Sequence, residues 1–112
     1  MGAGAAGIAS MNLLVSLGAS KNNLILLDRN GVIHSGRDDL NQYKADFAID
    51  TEMRTPLDAL TDADVFIGVS GPDLMSPEML RAMAPKPIVF ALSNPNPEID
   101  PQLAHDTRDD VL

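Results

Sequence analysis

Apolar residues along the chain follow two rhythms. Ile8, Met11, Leu14 and Val15 fall three and four positions apart, which predicts a helix from Ala5 to about Leu17, with Gly18 as its natural stop. Three other stretches are short and nearly unbroken: Asn23 to Leu27, Asp64 to Val69 and Pro87 to Leu92. Runs of this length predict strands buried on both faces. Polar punctuation separates them. Arg29 to Arg37 reads as a turn segment, with Asn30-Gly31 its strongest signal. Leu40 to Phe47 predicts a short helix, and Thr55-Pro56 opens another with Leu57 and Leu60 on one face. Ser76-Pro77-Glu78 starts a further helix, running to about Met83, by the same logic of cap and proline. Pro101 to His105 opens a final one.

Buried strands alternating with helices imply parallel pairing. The expected fold is therefore α/β: a Rossmann-like doubly wound parallel sheet forming one domain over residues 1–112. The chain enters a glycine-rich turn at Gly2 with only Met1 before it, and Val111-Leu112 reads like the start of another buried strand. The sheet is accordingly expected to be truncated at both ends, with its first strand missing. A sheet without that member exposes apolar surface, so low stability or self-association is expected of the piece alone.

Composition narrows the function classes. Lys and Arg total 8 against 16 Asp and Glu, a formal net charge of −8. That balance repels nucleic-acid phosphates, and one tyrosine with three phenylalanines gives no stacking platform, so no nucleic-acid partner is expected. There is no cysteine, hence no disulfide framework and no thiolate metal site. No apolar run reaches about 18 residues, so no membrane partner is expected. The glycine- and alanine-rich start lacks a basic leader segment, and a cytoplasmic location is expected.

The candidate chemistry sits at the turns. Gly2-Ala3-Gly4-Ala5-Ala6-Gly7 fits the dinucleotide pattern G-x-G-x-x-G and opens the first helix. Gly2 allows the tight turn, Gly4 leaves room for a pyrophosphate, and Gly7 lets the helix pack closely. Free N–H groups at Ala5 and Ala6 belong to the same cradle. Asp28 follows at the end of the next apolar run, 21 positions after Gly7, where a carboxylate accepts from the adenosine ribose. Its alternative reading is a plain opening for the Asp28–Gly31 turn. Ser70 and Gly71 follow the second strand and Asn94 the third, at the ends where open α/β sheets bind ligands. An Asn-Pro turn needs no ligand, so that alternative stands for Asn94. His34 and His105 read as solvated, and Asp106, Asp109 and Asp110 as a disordered tail.

With these residues a family resemblance becomes specific. Gly2 to Ala9, Asp28 with Gly31 and Gly36-Arg37, Ala63 to Gly71, Pro77-Glu78-Met79 with Met83-Ala84-Pro85, and Phe90-Ala91-Leu92-Ser93-Asn94-Pro95 together resemble the cofactor domain of malic enzymes, the Met-Ala-Pro version being closer to the bacterial branch. The resemblance covers nearly the whole chain. It implies a parent that oxidatively decarboxylates malate to pyruvate and carbon dioxide while reducing NADP or NAD. It also implies Mg²⁺ or Mn²⁺ bound by carboxylates outside this chain, a catalytic lysine and tyrosine also outside it, and a homo-oligomeric parent. Tyr43 and Lys44 are not that catalytic pair. Asn94 matches a family asparagine on the substrate's carboxylate side. The chain alone is expected to be inactive.

Cofactor choice turns on charge. Asp28 by itself favours NAD, since a carboxylate repels a 2′-phosphate. Arg29 and Lys44 oppose that. In malic enzymes lysine after the tyrosine that Tyr43 resembles goes with NADP, which makes NADP the expected cofactor and NAD the alternative. A stand-alone nucleotide-binding module and another Rossmann dehydrogenase are the competing functions. Ser93-Asn94-Pro95 after a buried strand favours malic enzyme over the latter.

Overall fold

The computed structural model describes residues 1–69, 71, 74–93 and 96–112. The chain divides into two compact units, Met1–Thr55 and Pro56–Leu112.

In the first unit, α1 spans Ala5–Ser16. It closes with two backbone bonds, Gly18 N–H to the Val15 carbonyl and Ala19 N–H to the Leu14 carbonyl, each 3.0 Å. This is a Schellman stop, so Gly18 lies just beyond the helix as expected. Met11 and Ala3 join Leu26, Ile33 and Phe47 in one buried cluster, with Ile8, Val15, Leu24, Leu40 and Ala48 against it. Of the four apolar positions that predicted α1, Met11 is buried, Ile8 and Val15 pack against the cluster, and Leu14 is half-buried.

The strand expected at Asn23 to Leu27 forms differently. Lys21–Asn23 is a turn of 3-10 helix. The ladder is β1, Leu27–Asp28, paired antiparallel with β2, Gly31–Val32, in the register Leu27 with Val32 and Asp28 with Gly31. The turn segment thus returns as a hairpin. Asp28 Oδ1 accepts from Asn30 N–H at 2.9 Å, which bends the chain. Gly31 has φ +105°, and a Cβ there would collide with the Arg54 carbonyl, so only glycine fits. The short helix expected at Leu40 to Phe47 is α2, Gln42–Ala45, capped by Asn41 Oδ1 accepting from Lys44 N–H at 2.9 Å.

The second unit follows its pattern closely. After α3, Pro56–Leu60, come β3, Val65–Gly68, then α4, Pro77–Ala82, and β4, Ile88–Ala91. β3 and β4 run parallel in the register Val65–Ile88 to Gly68–Ala91, which requires a crossover, here containing α4. Ser76 Oγ caps α4 by accepting from Met79 N–H at 3.2 Å, with Pro77 in its first turn. Leu112 N–H donates to the Pro87 carbonyl at 2.8 Å, and the Leu112 carbonyl accepts from Val89 N–H at 2.9 Å. That is the bonding pattern of a parallel neighbour on the free edge of β4. The last helix, α5, spans Pro101–Thr107, with Asp100 as its cap.

The acidic end is ordered, contrary to expectation. Arg108 donates to Asp110 at 2.7 and 2.9 Å and also to the carbonyls of Leu80, Met83 and Ala84, the end of α4. Asp110 in turn accepts from Lys86 N–H at 2.9 Å, and these donors hold its carboxyl at a pKa of about 2. A charged pair that also satisfies orphan helix carbonyls has a fixed position that composition alone did not reveal.

The described strands form two two-stranded sheets, one antiparallel and one parallel. This is an α/β fold; the ladder of the first unit is the hairpin, with a parallel bridge between His34 and Ile49 beside it. Among the described residues no helix is long and apolar enough to cross a membrane.

Candidate nucleotide-binding site

The first unit carries a glycine turn and a charged cluster on one strand end. Gly2 has φ +109°, and its N–H donates to the Leu27 carbonyl at 2.9 Å. The turn is thereby bonded to the residue before Asp28. Gly4 is the N-cap of α1 and offers no side-chain cap, and the first turn of the helix has no acidic residue. The N–H groups of Ala5, Ala6 and Gly7 begin a helix and have no intrahelical acceptor. Gly4, Ala5 and Ala6 are exposed whereas Gly7 is buried. A Cβ built on Gly4 meets nothing within 4 Å. The fold itself therefore does not require glycine there for space, and an open, donor-lined cradle with no carboxylate in its helix turn suits an anion.

Asp28 is the centre of the cluster. Its side chain is 9% exposed. Arg37 binds it with both terminal nitrogens, Nη1 to Oδ1 at 2.9 Å and Nη2 to Oδ2 at 2.8 Å, and Lys44 Nζ donates to Oδ2 at 3.1 Å. The Arg37 guanidinium is the main reason that the Asp28 carboxyl is held down to about 2, with Lys44 and Asn30 N–H adding to it against the opposing effect of burial. Asp39 and Asp28 together raise Arg37 above its ordinary value. Asp39 takes the other edge of that guanidinium, from Nε at 2.9 Å and from Nη2 at 2.8 Å.

The structure thus brings Gly2, Asp28 and Lys44 into one bonded set and leaves Arg29 exposed on the turn. Arg29 keeps its proposed place beside a 2′-phosphate on the sequence reading alone. The arginine that pairs with Asp28 is Arg37, because the hairpin folds the chain back so that a residue nine positions on meets it. Its signal lay in Gly36-Arg37, which sequence analysis used for the resemblance and not for the site.

In the second unit, Gly71 is half-buried, while Ser70 and Asn94 lie outside the described residues. Glu98, which sequence reasoning missed, is 0% exposed. Its Oε1 accepts from Ser93 N–H at 3.0 Å and its backbone carbonyl from Met75 N–H at 3.0 Å. The Glu98 carboxyl also fills the place of a side chain at Gly68, the last residue of β3. A lone acid between Pro97 and Ile99 was its available signal. Among the described residues no cluster of three or more His, Cys, Asp or Glu is arranged to hold a metal ion.

Residues 1–108 match the family described as malic enzyme, NAD binding domain. An NADP-dependent malic enzyme of Halomonas elongata is 63% identical over 112 residues, which is 100% of this chain and 26% of that protein. One of Salmonella typhimurium is 47% identical over 113 residues, covering 99% of this chain and 15% of that protein. The crystal structure of an NAD-dependent malic enzyme from Thermotoga maritima superposes with a TM-score of 0.84 at 38% identity, over 95% of this chain and 29% of that one. The chain therefore spans only 15% to 26% of the length of these two curated relatives. The glycine turn and Asp28 fall inside the matched stretch, and the chain belongs to the malic enzyme NAD-binding domain family.

Proposed function

We propose that residues 1–112 act as one NAD(P)-binding domain whose whole protein oxidatively decarboxylates malate to pyruvate and carbon dioxide with NADP. The observation that carries this reading is the bonded set in which the Gly2 turn, β1 and the Asp28 carboxylate with its two cations are joined. Bound NADP supplies the hydride acceptor. The Ala5, Ala6 and Gly7 N–H groups receive its phosphates, Asp28 accepts from a ribose hydroxyl, and Lys44 offsets the charge of a 2′-phosphate. The parallel β3–β4 pair supports a Rossmann-like doubly wound arrangement. Gly71, Ser70 and Asn94 keep their proposed cofactor roles, and Asn94 its proposed substrate role, on the sequence match alone. Mg²⁺ or Mn²⁺ enters the proposal through the family resemblance alone, as an ion held by other parts of the whole protein. A homo-oligomeric parent remains part of the proposal.

Lys44→Gln in the intact protein tests the choice of cofactor. A charge-assisted contact of about 1–3 kcal/mol corresponds to roughly ten- to a hundredfold in affinity. The ratio of kcat/KM for NADP over that for NAD is expected to fall by that amount. A ratio unchanged within about twofold removes Lys44 as the reader of the phosphate and leaves the choice between NADP and NAD open.

A further inference from the structure

We propose that Asp39 is a specificity-determining residue: its carboxylate covers the edge of Arg37 that a 2′-phosphate monoester would take, and such a ligand binds by displacing it. The proposal rests on the nucleotide reading above and deepens it.

A guanidinium has five N–H donors. In Arg37 every one is directed at an acceptor. Nη1 reaches Asp28 Oδ1 at 2.9 Å and the Val32 carbonyl at 3.4 Å. Nη2 reaches Asp28 Oδ2 and Asp39 Oδ2, both at 2.8 Å. Nε reaches Asp39 Oδ1 at 2.9 Å. An anion arriving at Arg37 therefore has to replace a present partner.

The two carboxylates are not equally replaceable. Asp28 sits on β1, is 9% exposed, and also accepts from Lys44 Nζ and Asn30 N–H. Asp39 lies outside any helix or strand and its side chain is 49% exposed. Displacement falls on Asp39.

Charge then sets what can displace it. Arg37 and Lys44 contribute +2, and Asp28 and Asp39 contribute −2, so the cluster is neutral as it stands. Once Asp39 withdraws, it carries +1. A phosphate monoester of about −1.5 to −2 offers the same forked oxygens with more charge than a carboxylate. A free 2′-hydroxyl is uncharged and leaves Asp39 in place. Asp39 thus keeps Arg37 ordered when no phosphate is bound and sets the threshold a phosphate must exceed.

The test is calorimetric titration of the intact protein with 2′,5′-ADP and with 5′-AMP, in wild type, Asp39→Asn and Asp38→Asn. Asp38 is an exposed neighbour whose substitution changes net charge equally. Asp39→Asn is expected to raise affinity for 2′,5′-ADP about tenfold, or about 1.4 kcal/mol, with 5′-AMP within about twofold. Asp38→Asn is expected to change neither. Wild type preferring 2′,5′-ADP, with no gain in Asp39→Asn, overturns the proposal and leaves the NADP reading intact. An equal gain in Asp38→Asn overturns it as a general charge effect. Wild type without preference for the 2′-phosphate overturns both.

Discussion

At the scale of single residues, the cradle at Gly4 separates a demand of the fold from a demand of the ligand. Gly4 has an ordinary N-cap conformation, and a Cβ there meets nothing within 4 Å. Gly4→Val is therefore expected to lower the free energy of unfolding by only about 1 kcal/mol, the cost of a poorer N-cap, and to leave the fold intact. Its branched side chain stands in the space assigned to the pyrophosphate, so binding of NADP and NAD should be lost together in calorimetry. Unchanged affinity would sink the cradle. Gly31 is the opposite case, since the Arg54 carbonyl and a φ of +105° exclude a side chain whatever binds nearby.

At the scale of elements, β3 ends on a glycine because a buried acid lies against it. A methyl group at Gly68 would overlap the Glu98 carboxyl, which is fully buried and bonded to Ser93 N–H. Gly68→Ala should cost about 1–3 kcal/mol through overpacking, read by chemical denaturation. A variant as stable as wild type would show that Glu98 shifts freely. The second unit was the more legible in sequence, for physical reasons. Asp64–Val69 and Pro87–Leu92 are apolar runs with β-branched residues, and Ser76-Pro77 carries its own cap, so local preference and final structure agree. Asn23 to Leu27 looked equally strand-like. Its ladder is set instead by the following turn, which pairs Leu27–Asp28 with Gly31–Val32. Of the site, Asp28 and Lys44 were legible from spacing and resemblance. Arg37 and Glu98 were not, because their partners are chosen by tertiary folding, in one case across a hairpin and in the other against a glycine with no side chain to signal it.

At the scale of the whole molecule, β4 is the unusual strand. Parallel strands are normally covered on both faces, yet Phe90 is 48% exposed, Ile88 is exposed beside it, and Leu92 and Leu112 are exposed too. The 112-residue polypeptide on its own is expected to associate through this apolar surface despite its charge of −8. Sedimentation velocity over about a hundredfold range of concentration should show a weight-average mass rising above 11.9 kDa, and Phe90→Ser should reduce the rise. A constant monomer mass would show that exposure here carries no tendency to associate. The bond from Gly2 N–H to the Leu27 carbonyl has a different consequence. It is made by main-chain atoms, so no side-chain replacement other than proline at position 2 removes its donor, and it ties the glycine turn to the strand that carries Asp28. Under the proposed function, then, a lineage can exchange the residues at 39 and 44 and drift from one dinucleotide to the other without rebuilding the frame that holds either. Cofactor preference is the evolvable layer, and the capacity to bind a dinucleotide is inherited beneath it.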